Sequence, residues 1–553
     1  MSATKILLNT ESTDLAMLQS QVAAGSFSSA TRSSQDAKVA RPELGWVENL
    51  WAMGDGRQDA VVKINPQLPR ISGASLDSLL RGGAMIHPVT SQLAFSYLVT
   101  ADDRWLVLND GAWVNVLTPA SVAEVTVFTL KSISYIYIAG DDMQEFDPAL
   151  LSGDEFASTI DVVLTGITQS TIISACAAVG YMILVDEDTV YYSAPLNERY
   201  FTPGGVGVNA GAGSAKILGI SSGITAVKGA EDGFYIYSVT NIVKATYSGN
   251  PDNPWVFNTV KNSTGVLSVR HVSRNTTFGD TFVWSAGGLA LLEQQEARYL
   301  FPNVTEMLAS DKHEEYDTVN KNVKLHKIGN NYSVDIYFLA GRYLYISYGV
   351  EGELKQYILC YDVLTQEWTR LRFYHLALTP FVRITSGGKL FTEWLETFED
   401  TVDTFADMID ANINQQANTL SIGVLDVVGR LVRLSPIDIK VIEGDTEVLD
   451  NVLYYPNLKL SRGSVVDLNR LTIYPGAPVY YNNLTSTGPK TAVYARSELE
   501  SNPRQFNRLP TNPNDKLIEY TESIKGNNLS LALENIGSIV GLEIDLVNTA
   551  RKW

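Results

Sequence analysis

Short runs of alternating apolar and polar residues, separated by turns rich in Asp and Gly, fill most of the chain between residues 61 and 385. Alternation with a period of two is typical of β-strands, and turn residues between two such runs predict a hairpin. Six hairpins are predicted, with strands at 93–99 and 105–108, 134–138 and 143–146, 181–185 and 190–193, 234–238 and 243–247, 281–284 and 289–292, and 343–348 and 356–361.

The predicted hairpins recur along the chain at fairly even intervals. Their turns lie near residues 102, 141, 186, 240, 287 and 352, with gaps of 39 to 65 residues. A propeller blade of four short strands takes about 40–50 residues. The spacing therefore predicts a mainly β protein with a degenerate, six-bladed β-propeller over residues 61–385. A pair of β-sandwiches is the alternative architecture.

Residues 386–418 interrupt the β pattern, and an amphipathic acidic helix is predicted near 392–413. Apolar residues recur there every three or four positions, namely Trp394, Phe398, Val402, Phe405, Ile409 and Ile413. The other face carries the candidate functional acids Glu396, Glu399, Asp403, Asp407 and Asp410. These acids form either an ordinary solvated face or the wall of a channel through which a polyanion passes.

The two ends of the chain lead to different predictions. Residues 1–60 include a small, polar stretch at 25–34 without a packing pattern, which is typical of an arm or linker. This segment is either a disordered tail or an arm that lies on a neighbouring subunit. Residues 419–553 alternate again and predict a C-terminal β-domain, either alone or joined by strands from elsewhere in the chain.

Charge narrows the range of partners. The chain has 61 acidic and 42 basic residues, a formal net charge of −19 and a pI of about 4.8. A protein that grips nucleic acid through its phosphates needs positive charge, so the net charge argues against that class. A surface that lets DNA slide past is still compatible, because repulsion prevents sticking.

Cysteine content and hydropathy bear on the cellular setting. The two cysteines, Cys176 and Cys360, are too few for a disulfide framework or a cysteine-based zinc site. No run of about 18 apolar residues exists, and the apolar stretch near the N-terminus is too short for a signal peptide. We therefore expect folding in a reducing cytoplasm, without a membrane span.

Four local patterns resemble parts of catalytic or ligand sites, but each lacks a required element. The acidic stretch after His313 has no second His four residues later, which a zinc-protease helix needs. The glycine-rich loop 204–216 lacks the adjacent Gly-Lys-Ser/Thr of a phosphate loop. Residues 219–223 spell Gly-x-Ser-x-Gly, but a strand is predicted next where an esterase needs a helix. Asp186 and Asp188 fit a hairpin tip better than a calcium loop. The sequence thus predicts no enzyme, no cofactor and no metal site.

One longer series of aromatic, Gly and Pro landmarks is more specific. It comprises residues 180–185, 190–195, 200–203, 217–220, 224–229, 233–237, 245–251, 254–257, 265–266, 283–289 and 301–308. Among the landmarks are Trp255, Gly265, Trp284 and the Gly287-Gly288 pair. The series resembles the nozzle proteins of short-tailed bacteriophages (podoviruses), also called tail tubular protein B-like proteins.

The resemblance implies a propeller-bearing structural subunit of a six-membered ring in the virion tail. Such a ring lies below the portal and the adaptor, extends the DNA-ejection channel and helps close the exit until infection. The implied partners are further copies of the chain, the portal–adaptor ring, tail fibres and viral DNA in transit without tight binding. Assembly is implied to occur in the cytoplasm of the bacterial host.

Two other classes of function stay open. A β-propeller that binds or cleaves host surface glycans would use aromatic side chains and a pair of carboxylates, whose separation only coordinates reveal. A general interaction propeller would bind protein partners and stay monomeric.

Overall fold

A computed structural model describes most of the predicted β regions of the chain. The described residues are 4–8, 46–54, 57–65, 82–86, 95–99, 105–109, 112–117, 125–131, 133–138, 142–146, 160–217, 219–220, 222–250, 253–268, 271–274, 281–285, 287–293, 295–309, 312–327, 332–339, 343–350, 354–379, 422–436, 445–458, 465–475, 491–498, 502–509, 517–526 and 529–548. The predicted helix at 392–413 lies outside them.

The first four described strands are β1 (Thr4–Leu8), β2 (Trp46–Glu48), β3 (Leu50–Gly54) and β4 (Arg57–Asn65). They belong to sheets whose other strands come from later in the chain. The first two four-stranded sheets follow, formed by β5 (Gly82–Ile86), β6 (Phe95–Val99), β7 (Trp105–Asn109) and β8 (Ala112–Leu117), and by β9 (Val125–Leu130), β10 (Ile133–Ile138), β11 (Gln144–Phe146) and β12 (Ile160–Asp161).

Three more four-stranded sheets continue the series. The third has β13 (Ser174–Ala178), β14 (Tyr181–Val185), β15 (Thr189–Tyr192) and β16 (Gly213–Lys216). The fourth has β17 (Ile224–Ala230), β18 (Gly233–Ser238), β19 (Ile242–Tyr247) and β20 (Trp255–Thr259). The fifth has β21 (Val272–Arg274), β22 (Thr281–Ser285), β23 (Gly288–Glu293) and β24 (Glu296–Tyr299).

An insertion separates the fifth sheet from the sixth. It contains the helix α1 (Pro302–Ala309) and a two-stranded hairpin of β25 (Lys312–Asp317) and β26 (Asn322–Lys327). The sixth sheet has β27 (Tyr332–Leu339), β28 (Tyr343–Val350), β29 (Lys355–Asp362) and β30 (Glu367–Thr379). Two short 3₁₀ turns, Gln169–Thr171 and Gly207–Asn209, lie in the connections of the third sheet.

The six sheets confirm the predicted propeller-like fold. All are antiparallel meanders, and every predicted hairpin forms the second and third strands of its sheet. The first strands of successive sheets contact one another, as β9 does β13 and β13 does β17. The sixth sheet meets the first through β30 and β5. In the first five sheets this arrangement places the first strands toward the centre and the fourth strands at the outside, whereas β30 of the sixth sheet contacts β5 and continues into β31.

Strands that lie between two neighbouring sheets are apolar on both faces. In β14, Ile183 packs toward the fourth sheet, whereas Leu184 packs toward the second. In β18, Ile236 packs toward the third sheet and Tyr237 packs toward the fifth. A strand buried on both faces has no polar side, which is why these strands form continuous apolar runs.

The first strands carry small residues because the sheets approach one another closely there. A Cβ added at Gly229 of β17 would lie 2.2 Å from the carbonyl oxygen of Ala177 in β13. The amide of Val227 donates a hydrogen bond to Ser174 Oγ across the same gap, at 3.2 Å. The Ser and Ala residues of β13 therefore reflect packing near the centre of the propeller.

The rest of the chain extends the sixth sheet and builds a second unit. The strands are β31 (Ile422–Asp426), β32 (Leu431–Pro436), β33 (Asp445–Val448), β34 (Val452–Leu458), β35 (Val466–Tyr474), β36 (Ala492–Ser497), β37 (Arg504–Gln505), β38 (Asn507–Arg508), β39 (Ile518–Gly526), β40 (Leu529–Glu534), β41 (Ser538–Ile539) and β42 (Gly541–Asn548). The sixth sheet continues in the order β30-β31-β32-β4-β3.

Two five-stranded sheets form a C-terminal β-sandwich. Their strand orders are β1-β42-β35-β39-β38 and β2-β34-β40-β36-β37. Side chains of both sheets share one core, in which Leu471 and Ile544 of the first sheet join Leu453 and Leu531 of the second. All four are fully buried. The same core includes Trp368 of the sixth propeller sheet, so the sandwich and the propeller pack together directly.

The structure corrects the extent of the predicted N-terminal arm. β1 pairs with β42, β2 with β34 and β3 with β4, so described parts of residues 1–60 belong to sheets. The predicted boundary at residue 60 lies within β4. Val47, Leu50 and Trp51 are completely buried, which explains why this short apolar stretch forms strands. Residues 9–45 are outside the described residues.

Candidate functional site

The five acidic candidates of the predicted helix have no place in the described structure. Glu396, Glu399, Asp403, Asp407 and Asp410 all lie in the segment between Thr379 and Ile422, which is outside the described residues. The hypothesis that they line a channel stays a prediction.

Asp186 and Asp188 lie at the tip of the hairpin between β14 and β15. Asp186 Oδ1 accepts hydrogen bonds from the amides of Asp188 and Thr189, at 3.1 and 2.8 Å, and its Oδ2 accepts one from the Tyr191 hydroxyl. Asp188 pairs with Lys216, and this contact lowers the pKa of the Asp188 carboxyl. Both carboxylates thus stabilise the turn and the edge of the sheet.

The acidic stretch after His313 forms strand β25, and its side chains have separate partners. Glu315 pairs with Arg372 of β30. Asp317 caps the turn to β26, and its hydrogen bond with Lys324 holds the pKa of Asp317 well below its usual range. Within the described ranges, no group of three or more His, Cys, Asp or Glu residues is arranged to hold a metal ion.

The two glycine-rich patterns are parts of connections in the propeller. The loop 204–216 ends in the edge strand β16, where Gly213 packs against the Tyr192 ring. After Gly223 the chain enters strand β17 directly, so the helix of an esterase elbow is not present at this position. Both patterns therefore have a structural explanation.

A cluster of side-chain hydrogen bonds, ion pairs and aromatic contacts joins the propeller to the sandwich. We call it the junction, and define it as the side chains of β2, β30 and the β25–β26 hairpin with its turn, together with those of β34, β36 and β40 that they contact. On one side of it, Lys321 donates to both oxygens of Glu534, at 2.7 and 2.8 Å. The Tyr316 hydroxyl donates to the same carboxylate at 3.0 Å, and burial raises the pKa of that hydroxyl.

Aromatic contacts reinforce this side of the junction. Lys321 Nζ lies 4.2 Å from the centre of the Tyr494 ring. The rings of Tyr316 and Tyr454 lie 6.1 Å apart. Lys321 and Glu534 are each only 14% exposed, so their charges interact with little screening by water. The hairpin of β25 and β26 is thereby fixed to the second sheet of the sandwich.

The other side of the junction holds a buried charge cluster. Glu48 accepts a hydrogen bond from the Trp46 indole at 3.3 Å and lies 3.8 Å from Arg372. Burial raises the pKa of Glu48, and the positive charges of Arg372 and Arg370 oppose that rise. Arg370 is 1% exposed, and its guanidinium carbon lies 4.0 Å from the centre of the Trp46 ring.

Arg370 has an unusual environment for a guanidinium. None of its three side-chain nitrogens has a hydrogen-bond acceptor. The face of Trp46 supplies a cation–π contact, and Glu48 supplies a compensating charge nearby. A buried charge without acceptors costs stability, so this cluster is held in place by the packing around it.

A buried Ser–His pair lies in the extended sixth sheet. His375 Nε2 lies 2.7 Å from Ser347 Oγ, and Nδ1 lies 2.6 Å from the carbonyl oxygen of Phe373. With the proton on Nδ1 donated to that carbonyl, Nε2 accepts the Ser347 hydroxyl proton. Both residues are fully buried, and burial lowers the pKa of His375 to about 3. The pair is therefore a neutral link between β28 and β30 that no substrate reaches.

Sequence reasoning did not find the junction. A usable signal exists in the pairs Trp46-Val47 and Leu50-Trp51, which are too apolar for a linker. The partners of these residues lie more than 300 positions away along the chain, as in the hydrogen bond from the amide of Ala52 to Thr369 Oγ1. No described helix is both long enough and apolar enough to span a membrane.

Comparisons with known proteins give little beyond these observations. No protein-family model and no curated protein matches the sequence. Among solved structures, the computationally designed Ika8 protein aligns with 67% of this chain and 98% of its own, at 10% identity and a TM-score of 0.32. BamB from Moraxella catarrhalis aligns with 68% of this chain and 97% of its own, at 7% identity and a TM-score of 0.32.

A third solved structure aligns over more of the chain. It is the extracellular domain of the hybrid two-component system BT4673 from B. thetaiotaomicron, at 9% identity and a TM-score of 0.39. The alignment covers 89% of this chain and 60% of that one. At these TM-scores, none of the three carries an argument about this chain.

Proposed function

We propose that this chain is a structural subunit of the tail nozzle ring of a short-tailed bacteriophage. The ring extends the DNA-ejection channel below the portal and the adaptor and helps close the exit until infection. The observation that carries the proposal is the landmark series at 180–310, which resembles nozzle proteins. The series spans the third, fourth and fifth propeller sheets and ends in α1.

The landmarks hold the blades together, which suits a subunit whose role is mechanical. Trp255 lies edge-on to Phe234 and Tyr181, with ring centres 4.8 and 5.3 Å apart, in the core between the third and fourth sheets. A Cβ at Gly265 would lie 1.8 Å from the backbone of Val239, so only Gly fits where this connection crosses the β18–β19 turn. Such close packing gives a rigid blade series.

Charge supports passage of DNA rather than its retention. Six copies of a chain with a net charge of −19 carry −114 together. Like charge keeps the phosphates from forming close contacts with the wall, so the genome meets few attractive sites as it leaves. We assign no catalytic step and no cofactor to this role.

The proposal predicts the binding partners of this subunit and its location. The subunit assembles with further copies of itself into a hexamer, because a closed ring satisfies every head-to-tail interface without open-ended growth. The ring contacts the portal–adaptor ring and holds tail fibres at its periphery. Its location is the virion tail, after assembly in the cytoplasm of the host bacterium.

The test measures assembly and activity on the same purified chain. We expect electron micrographs and sedimentation to show a closed ring of about six copies with a central opening, which binds a purified portal–adaptor complex at its end. We expect no release of sugar from host surface polysaccharide. A monomer at all concentrations, or turnover abolished by a single carboxylate substitution, would contradict the proposal and favour an interaction propeller or a glycan enzyme respectively.

A further inference from the structure

We infer that the N-terminal strand β1 is an exchangeable strand, which occupies the edge of β42 in a second copy of this chain. The inference concerns how copies are linked and does not require that the assembly be a phage nozzle. The binding site is the backbone edge of β42 that β1 covers, together with the part of the sandwich core that Leu8 joins.

The backbone contacts of β1 are with the distant strand β42. Thr4 to Leu8 pair with Leu546 to Leu542 in an antiparallel ladder of five residues. β42 is the main neighbour of β1, which stands at the end of its sheet. The ladder uses backbone groups, and every copy of the chain presents the same edge. The same hydrogen bonds thus form whether β1 comes from its own chain or from another.

The strand whose edge β1 covers is part of the sandwich core. Leu542, Ile544 and Leu546 of β42 are completely buried and belong to the sandwich core. Leu8, at the end of β1, is only 2% exposed and belongs to the same core. An open strand edge beside such a core promotes uncontrolled pairing, so a dedicated strand has to cover it.

The length of chain that follows β1 exceeds what an internal connection needs. Only Phe506 separates β37 from β38, and these strands end the two sheets of the sandwich on one side. The strand orders therefore place β1 and β2 together at the opposite side of the sandwich. Packed sheets lie about 10 Å apart, a distance that a short turn covers. The chain instead has 37 residues there, numbers 9–45.

The same length is sufficient to reach a neighbouring molecule. Thirty-seven residues extend to at most about 130 Å. A compact chain of 553 residues has a radius of gyration of about 24 Å, so the adjacent copy lies well within reach. Exchange of an identical element replaces each intramolecular contact of β1 by the same contact between two subunits, which is why strand exchange is an inexpensive route to oligomers.

The test uses cysteine pairs placed by the register of β1 and β42. Lys5 and Asp545 are paired positions, and Cα atoms of paired residues in an antiparallel ladder lie at a distance that a disulfide spans. One full-length chain carries Lys5→Cys and a second, with a different affinity tag, carries Asp545→Cys. The native Cys176 and Cys360 are buried and do not compete. After co-expression and mild oxidation, a disulfide between these two chains forms only if β1 is exchanged.

We expect a disulfide-linked dimer that contains both tags, at about one interface in four for random mixing in a closed ring. The matched control pairs Lys5→Cys with Ser523→Cys on β39, which β42 and β35 separate from β1, and gives no dimer. A chain lacking residues 1–8 serves as the second variant. We expect this chain to fold, as judged by circular dichroism. Its copies should associate only at protein concentrations at least tenfold higher than the full-length chain needs.

The double variant Lys5→Cys/Asp545→Cys separates the remaining outcomes. Intrachain links alone, with no mixed-tag dimer, overturn strand exchange while leaving the nozzle proposal in place. If the largest disulfide-linked species contains two chains, strand exchange is supported and the nozzle ring is contradicted. If it contains about six chains, both are supported.

Discussion

The Ser347–His375 pair makes the stability of the chain dependent on pH. Burial lowers the pKa of His375 in the folded state to about 3, whereas an unfolded His titrates near 6.5. Between these values the unfolded chain binds a proton that the folded chain does not. The contribution of His375 to stability is therefore complete above pH 6.5, and it falls by up to about 1.4 kcal/mol per pH unit as the pH drops toward 3.

We expect the variant His375→Gln to lose the part of the pH dependence of the unfolding free energy that comes from this histidine. Urea unfolding at pH 7, 6 and 5 measures it, because the slope of the unfolding free energy against pH counts protons taken up. The slope should fall by close to one proton relative to the parent chain between pH 6 and 5. An unchanged slope in His375→Gln would contradict the assignment.

The buried cluster of Glu48 and Arg370 leads to a second prediction at the scale of residues. Glu48 and Arg370 are both buried and form no hydrogen bond with each other, so the hydration that they lose costs more than their mutual attraction returns. We expect the double variant Glu48→Gln/Arg370→Met to be as stable as the parent or more stable, by up to about 3 kcal/mol.

The single variants are the controls for this cycle. Arg370→Met alone removes one of the two cations that compensate Glu48, so it should be less stable than the double variant. Thermal and denaturant unfolding of all four chains at pH 7 measure the difference. A double variant that loses more than about 2 kcal/mol would show that the cluster stabilises the fold.

At the scale of elements, the hairpin of β25 and β26 connects the propeller to the sandwich through one ion pair. Lys321 and Glu534 are largely shielded from water, and Tyr316 and Tyr494 surround them. We expect a double-mutant cycle of Lys321→Met and Glu534→Gln to give a coupling free energy of about 1–2 kcal/mol.

The propeller offers a matched exposed pair for comparison. Arg298 and Glu293 lie 2.9 Å apart but are 61% and 48% exposed. Their coupling should stay below about 0.5 kcal/mol, because water and salt screen exposed charges. Equal coupling in the two cycles would mean that the junction pair contributes no more than a surface contact.

Close packing of the first strands leads to a prediction about the propeller itself. The Cβ of Gly229→Ala would overlap the backbone oxygen of Ala177, so β13 and β17 have to move apart. We expect a loss of about 1–3 kcal/mol in the unfolding free energy. Gly219→Ala is the control, since its Cβ meets Thr259 at an ordinary 3.5 Å, and should change stability by less than about 0.5 kcal/mol.

The sequence predicts elements well where apolar residues are local and dense. The second and third strands of each sheet, such as β14 and β18, are continuous apolar runs because both faces are buried. First strands such as β13, with Ser and Ala, and outer strands such as β20, with mostly exposed residues, lack that pattern. Local periodicity therefore finds the middle of each blade and misses its borders.

The sequence does not predict the strands within residues 1–60 or the cluster around Arg370, because both depend on pairing between distant parts of the chain. Leu8 pairs with Leu542 and Val47 with Leu453, and nothing in a short window encodes a partner hundreds of residues away. The polar stretch at 25–34 dominates the composition of residues 1–60, so composition predicts an arm there in spite of the apolar residues at 46–51. The buried cluster around Arg370 depends on the same long-range pairing.

At the scale of the whole molecule, the proposed function depends on where the negative charge lies as well as on its amount. An acidic wall speeds the passage of DNA only if the acids face the channel. Glu396, Glu399, Asp403, Asp407 and Asp410 are the proposed channel acids, and they precede the strands that join the sixth sheet to the sandwich. Their reversal tests this placement.

We expect reversal of all five acids to Lys to make the ring retain DNA. The change moves the net charge per chain from −19 to −9 and places up to 30 positive charges in a ring of six. DNA phosphates then gain contacts that release counterions, so retention should fall steeply between about 50 and 200 mM salt. Gel filtration of the ring with short duplex DNA measures retention, and particles carrying the variant should eject their genome more slowly.

The control variant has the same net charge with the change at other positions. It reverses the exposed propeller acids Glu187, Glu231, Asp232, Glu293 and Glu296. If the proposed acids line the channel, the first variant slows ejection much more than the control, because DNA meets only the inner wall. Equal ejection rates would place the 392–413 segment away from the DNA path. The repulsion would then come from the total charge of the ring, and the helix would be an ordinary solvated surface.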